Sequence, residues 1–261
     1  MQLRKMSVLV LCLLLAGAVW GQDNQGYTSV ALFKMKMDSM ESGVGSLVKF
    51  ITPVGAKLLK EGTVSGYGVD VDMFHQPGQT NVAVWMDVPS FEAFGKAEDA
   101  IHAALKAQPQ LTAALWAATD QNAHADIMVR HIFANMKKVP AGKLPYTNFY
   151  GVKVKPGQAQ EFSAAFEKYQ KPLYDKLVAD GVIYGYSVDT EVMHSDAAAW
   201  VWILFVLPDL GAKDKMLAAT RAAGQTRSAA ERKAMSDALD AATVPGSHRD
   251  SLSQAVVFVT K

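Results

Sequence analysis

The sequence predicts an α+β fold: two tandem βαββαβ units whose sheets pack face to face as one intramolecular α–β barrel. Three observations predict it. The chain repeats itself, each copy orders its strands and helices alike, and the third strand is apolar on both faces in the second copy and nearly so in the first. The repeat emerges when Tyr27-Thr28 is set over Tyr146-Thr147, an offset of 119 residues. Without a gap, that register pairs Lys34 with Lys153, Pro53 with Pro172, Gly62 with Gly181, Gly66-Tyr67 with Gly185-Tyr186 and Val69-Asp70 with Val188-Asp189. His124-Ala125-Asp126 and His248-Arg249-Asp250 match at an offset of 124, which places five extra residues in the second copy's polar helical stretch. A period this long is that of a duplicated domain, since solenoid repeats are far shorter.

The elements follow in order. Alternating residues 27–37 and 146–155 read as first strands. Helical stretches over 41–60 and 158–179 stop at Gly62 and Gly181, which suit C-terminal caps. Second strands cover 64–74 and 183–193, and the turns Gln76-Pro77-Gly78 and Ser195-Asp196 lead into third strands at 81–88 and 200–207. Ser90 and Asp209 are placed to cap the next helices, 91–118 (broken near Pro109) and 210–242. Last strands run over 126–136 and 252–260. This order is the ferredoxin-like plan, with both helices on one face of an antiparallel sheet. Residues 200–207 are apolar on both faces; helices cover one, and the sister sheet is the expected cover for the other. Asp70, Asp72, Asp189 and Glu191 share a face of the second strands and read as an exposed edge.

The expected organisation is a signal peptide at 1–21, a first unit at 22–137, a linker at 138–144 and a second unit at 145–261. Arg4 and Lys5 precede an apolar run and the small residues Ala16, Gly17 and Ala18, which is secretory grammar too short for a permanent span. Cleavage is expected after Gly21 or Ala18, giving a soluble secreted or periplasmic protein, monomeric with an internal pseudo-dimer. A net charge of +1 excludes a general attraction to nucleic acid or to anionic membranes. Cys12, the one cysteine, lies in the leader, so disulfides, thiol nucleophiles and thiolate metal sites are excluded from the mature chain. Phosphate loops, zinc-spaced histidine pairs and a Gly-x-Ser-x-Gly elbow are missing, which counts against nucleotide enzymes, metalloproteases and α/β-hydrolases. No metal site is assigned.

In the second copy, Tyr150-Gly151-Val152-Lys153-Val154-Lys155-Pro156-Gly157 ends a strand in a Lys-Pro-Gly turn, and Glu161-Phe162 opens the helix. With the element order, this resembles the dimeric α–β barrel superfamily, including its antibiotic-biosynthesis-monooxygenase-like and NIPSNAP-like families. The first copy departs from it, with Met37-Asp38 where the second has Pro156-Gly157. The resemblance implies a small, often aromatic ligand held between two sheets, with cofactor-independent oxygenation or haem binding among the uses. The leading expectation is therefore a small apolar or aromatic ligand and monooxygenase-like chemistry without a cofactor. The alternatives are a non-catalytic secreted or periplasmic binding or structural protein, and a haem-binding protein.

Candidate residues follow from strand positions. Arg130 and His131 lie within an apolar strand, where alternation turns one inward, and with Tyr186 they are the candidate polar groups for deprotonating a substrate. Tyr67, Trp85, Trp200 and Trp202 are the candidate aromatic wall, although aromatics in strands pack in cores by default. His75 and His194 occupy matching hairpin turns, and the His-x-Asp pairs at 124–126 and 248–250 suit loop ends.

Overall fold

The computed structural model describes residues 26–74, 79–193 and 197–261. The expected signal peptide with both expected cleavage points, His75 and His194 lie outside the described residues. The first half contains β1 (Tyr27–Phe33), α1 (Met40–Glu61), β2 (Gly66–Asp72), β3 (Val82–Val88), α2 (Phe91–Ala107), α3 (Pro109–Ala118) and β4 (Ala125–Met136). The second contains β5 (Tyr146–Val154), α4 (Ala159–Tyr169), α5 (Lys171–Ala179), β6 (Gly185–Glu191), β7 (Ala199–Leu207), α6 (Leu210–Thr226), α7 (Ala229–Ala242) and β8 (Arg249–Thr260).

Local chemistry explains the boundaries. Gly62 and Gly181 hold φ of 78° and 73°, the left-handed region that ends a helix without a Cβ penalty. Ser90 and Asp209 accept hydrogen bonds from the backbone N–H of Ala93 and Ala212, as N-caps do. The expected helix over 158–179 breaks before Lys171-Pro172, because proline at the first turn starts a helix more readily than it continues one. The expected helix over 210–242 also divides, at Arg227-Ser228, where Ser228 and Glu231 form a capping box.

Face-to-face packing of two ferredoxin-like sheets is overturned by the strand pairing. Among the described residues, eight antiparallel strands close into one barrel in the order β1-β3-β2-β8-β5-β7-β6-β4. The halves join edge to edge, through β2 with β8 and β4 with β6. A free edge exposes a row of unpaired N–H and C=O groups, and closure removes it. There is accordingly no gap between two stacked sheets. One face of every strand looks outward to helices, and the other looks into the barrel.

The outward faces carry the apolar core. Val82, Val84, Met86 and Val88 pack with Leu47, Phe50, Ile51 and Leu58 of α1, while Val201, Ile203, Phe205 and Leu207 pack with Phe162, Phe166 and Met216. The inward faces hold polar groups. Asp70 and Asp189, expected on an exposed edge, are only 2% and 5% exposed, because the edge strand that bears each is covered by the other half.

Candidate functional site

The barrel interior is organised around His131. The inward residues of β4 alternate with outward ones, which sends His131 inside and leaves Arg130 exposed on the outer face. His131 sits opposite Asp189 in the register of β4 and β6, with Nδ1 2.6 Å from Oδ1. Ser187 Oγ donates to Asp189 Oδ2 at 2.7 Å. On the other side, Thr28 Oγ1 donates to Asp87 Oδ1 at 2.6 Å and lies 3.3 Å from His131 Nε2. Thr28 has one hydroxyl hydrogen, and Asp87 takes it, so the Nε2 side must supply the proton of its contact. Both ring nitrogens then donate, and the imidazole is an imidazolium between two carboxylates. Burial opposes that charge, but the Asp189 hydrogen bond and the charges of Asp189 and Asp87 outweigh it, and the His131 pKa is raised. In this state neither ring nitrogen has a lone pair free to take a proton.

The same interior contains Asp70, whose pKa is pushed up to about 7, chiefly by burial, with Asp72 adding to the rise. The nearby Trp85 indole and Thr147 hydroxyl pull it partly back. Neither closes a full hydrogen bond. Asp70 Oδ1 and Thr147 Oγ1 are buried without a partner, as is Trp202 Nε1.

The candidate aromatic residues divide between the two faces. Trp85 lies inside, over Gly68 and edge-on to Phe258 at 5.2 Å. Trp200 and Trp202 stack at 5.1 Å on the same inner face, with the Arg249 guanidinium 4.7 Å above Trp200. Tyr67 and Tyr186 face the helices instead. Tyr67 packs so tightly on α1 that a Cβ at Gly55 would come 2.5 Å from its ring. Tyr186 is fully buried, and its hydroxyl donates to Asp175 Oδ1 at 2.8 Å. Burial and the Asp175 carboxylate raise its pKa and keep it a proton donor. The structure therefore gathers His131, Trp85, Trp200 and Trp202 on the barrel's inner side, and separates Arg130, Tyr67 and Tyr186 from them. His124 and His248 each lie 3.1 Å from the following aspartate at loop ends, as their spacing suggests.

A second feature has no counterpart among the sequence candidates. A small, partly open cleft of about 40 Å³ lies between the outer face of β1 and β3 and helix α2. Ala31, Val84, Met86, Phe94 and Ala97 make its walls, and Ser29 and Glu98 are its polar members. Burial raises the Glu98 pKa, with His102 pulling it back and Asp126 and Asp99 adding to the rise. At the offset of 119, Ala97 corresponds to Met216, which is buried in the apolar core of the second half. That alanine-for-methionine difference was the available signal.

No protein-family model matches the chain, and no curated protein matches it. Solved structures do. A candidate monooxygenase of Fusobacterium nucleatum superposes with a TM-score of 0.62 at 13% identity, covering 90% of this chain and 94% of that one. An anthrone oxidase-like protein gives 0.55 at 14% identity, over 90% and 93%. A haem-binding protein of Thermus thermophilus gives 0.50 at 12% identity, over 89% and 92%. At these identities the likeness is one of fold alone.

Haem can be tested against the described residues. His131 is engaged at both ring nitrogens, His124 bonds Leu32 O and Asp126, and His248 pairs with Asp250. His102 projects from α2 with 67% of its side chain exposed, beside Glu98. None faces an apolar space of porphyrin size, so these residues do not fit the group.

Proposed function

We propose that the protein is exported and, once its leader is removed after Gly21 or Ala18, binds a small, mostly apolar molecule in the cleft between β1, β3 and α2. The observation that carries this reading is the cleft itself, lined by Ala97 in this half where the register partner in the other half is the buried Met216. A mostly apolar cleft with few polar members is the ordinary form of a small-molecule site. Glu98 is its one ionisable member, and its raised pKa suits a carboxyl that exchanges a proton or hydrogen bond with a phenol-like group. Monooxygenase-like chemistry without a cofactor is the activity we assign to it, since the protein's part there is to hold an electron-rich aromatic and accept its proton. The two halves, each in the order βαββαβ, descend in this reading from one duplicated unit, and the chain works as a monomer.

Thermal melts of the mature protein with a panel of phenols and aromatic ketones test the site. At least one compound should raise Tm in the parent, and Ala97→Met should lose that response while folding normally. A panel without effect, or an Ala97→Met protein that responds equally, overturns the reading. Oxygen uptake with the compound that binds then tests the chemistry, and Glu98→Gln should abolish uptake while retaining most of the binding. N-terminal sequencing of protein from the producing cell's exported fraction tests the leader.

A further inference from the structure

The two halves meet along two seams, β4 with β6 and β2 with β8, and the seams are fastened differently. In the β4/β6 seam the His131 ring reaches from one half to Asp189 of the other at 2.6 Å, and Asn135 Nδ2 donates to Asp175 Oδ1 of α5 at 2.7 Å. Ser187 Oγ gives Asp189 a further donor at 2.7 Å. The chain makes its passage between the halves from the end of β4, where Lys137 N donates to Tyr184 O just ahead of β6. The β2/β8 seam lacks these fastenings. At the repeat offsets of 124 and 119, Ala255 stands for His131 and Gly68 for Ser187. Asp70 therefore lies on its seam without the ring or the hydroxyl that serve Asp189, and its Oδ1 is buried with no hydrogen-bond partner. A side-chain bond does cross there, from Ser253 Oγ to Asp72 Oδ1 at 2.6 Å.

This asymmetry matters when the carboxyl ionises. Facing Asp70 are Asp72 on its own strand, the Trp85 indole of β3, the Thr147 hydroxyl of β5 and the Ala255 methyl of β8. None of these is a cation; the indole and the hydroxyl ease the charge in part, and Asp72 repels it. A buried charge without a counter-ion is costly, and contact with water relieves it. The groups around His131 are Asp189 and Ser187 of β6, Thr28 of β1 and Asp87 of β3. An imidazole that gives up its charge there still keeps one N–H for Asp189, so the β4/β6 fastening survives. We propose that the barrel is a pH-sensitive clamp, in which loss of the Asp70 proton lets β2 part from β8 and admits water to the interior, while β4 and β6 stay paired as the hinge. The clamp concerns the inner face of the sheet and stands independently of the apolar cleft outside. The closed seam holds the Asp70 pKa at about 7, and an open one returns it toward its ordinary 3.8. The closed form thus binds more protons between those values, so rising pH favours opening there and has little further effect above them.

Hydrogen exchange of the mature protein between pH 5 and 8, read by mass spectrometry, tests the clamp, with each rate divided by the amide's intrinsic rate at that pH. Amides of the paired residues 66–72 and 253–260 should lose protection by up to about tenfold per pH unit from pH 5 to 6.5 and level off above pH 7. Those of 129–136 and 185–191 should change by less than about threefold over the same interval. Asp70→Asn, which cannot ionise, should keep the β2/β8 protection constant. The comparison of seams within the parent needs no variant, so the test survives if Asp70→Asn misfolds. Equal loss in both seams means that the molecule opens as a whole. Constant β2/β8 protection in the parent, or an unaltered pH dependence in Asp70→Asn, means that Asp70 does not control the seam. Each of these results overturns the proposal.

Discussion

Two buried titratable residues, His131 and Asp70, set how this protein should respond to pH. His131 gains carboxylate partners on folding, and its raised pKa means that its contribution to stability is complete below the unfolded value of about 6.5 and is lost as pH rises through the folded one. Asp70 works in the same direction for a different cause. Its pKa rises from 3.8 to about 7 on burial, so folding favours the protonated form, and stability declines as pH climbs between those values. Melts across pH 5 to 8 should therefore show Tm falling with rising pH. Asp70→Asn, which cannot ionise, should remove the part of that fall below about pH 7 and melt above the parent at pH 8. His131→Ala should lose about 3 kcal/mol at pH 6, because it strands Asp189 in the interior without its counter-charge. A flat pH profile in the parent would refute both assignments.

Among the elements, helix ends were legible wherever a short-range device writes them. The caps at Gly62, Ser90, Gly181 and Asp209 all lie where sequence pattern puts them. The divisions α4/α5 and α6/α7 were less legible, because a polar helical run looks continuous until its capping side chains turn back on the backbone. Ser228 is the clearest case, since its hydroxyl accepts from Glu231 N at 3.2 Å while the Glu231 carboxylate accepts from Ser228 N at 2.8 Å. Ser228→Ala should cost about 1 kcal/mol. In a chain of this size that lowers Tm by about 2–4 °C, measurable by calorimetry. Proline shows how context overrides local rules: Pro53 is carried inside α1, whereas its register partner Pro172 begins a new helix.

At the scale of the whole molecule, the two halves are bound by strand pairing as well as by a linker. A protein restricted to residues 22–140 leaves β2 and β4 with open edges, which the second half otherwise covers. Gel filtration of that fragment should find a dimer or aggregate and no stable monomer; a well-folded monomer would show that closure is dispensable.

By itself the sequence determined the order of elements, the helix caps and the doubling of the chain's register, since all three rest on residues near one another or on a direct comparison of segments. It also announced that β7 must be covered on both faces. What covers the second face was decided only in three dimensions: the closed barrel, not a stacked sister sheet. Alternation separates the two faces of a strand without saying which one is enclosed, and so Asp70 and Asp189 read as an edge although they line the interior. Edge-to-edge closure, the pairing of His131 with Asp189 across 58 residues and the cleft at Ala97 all arise between distant strands and helices, where no local pattern records the partner.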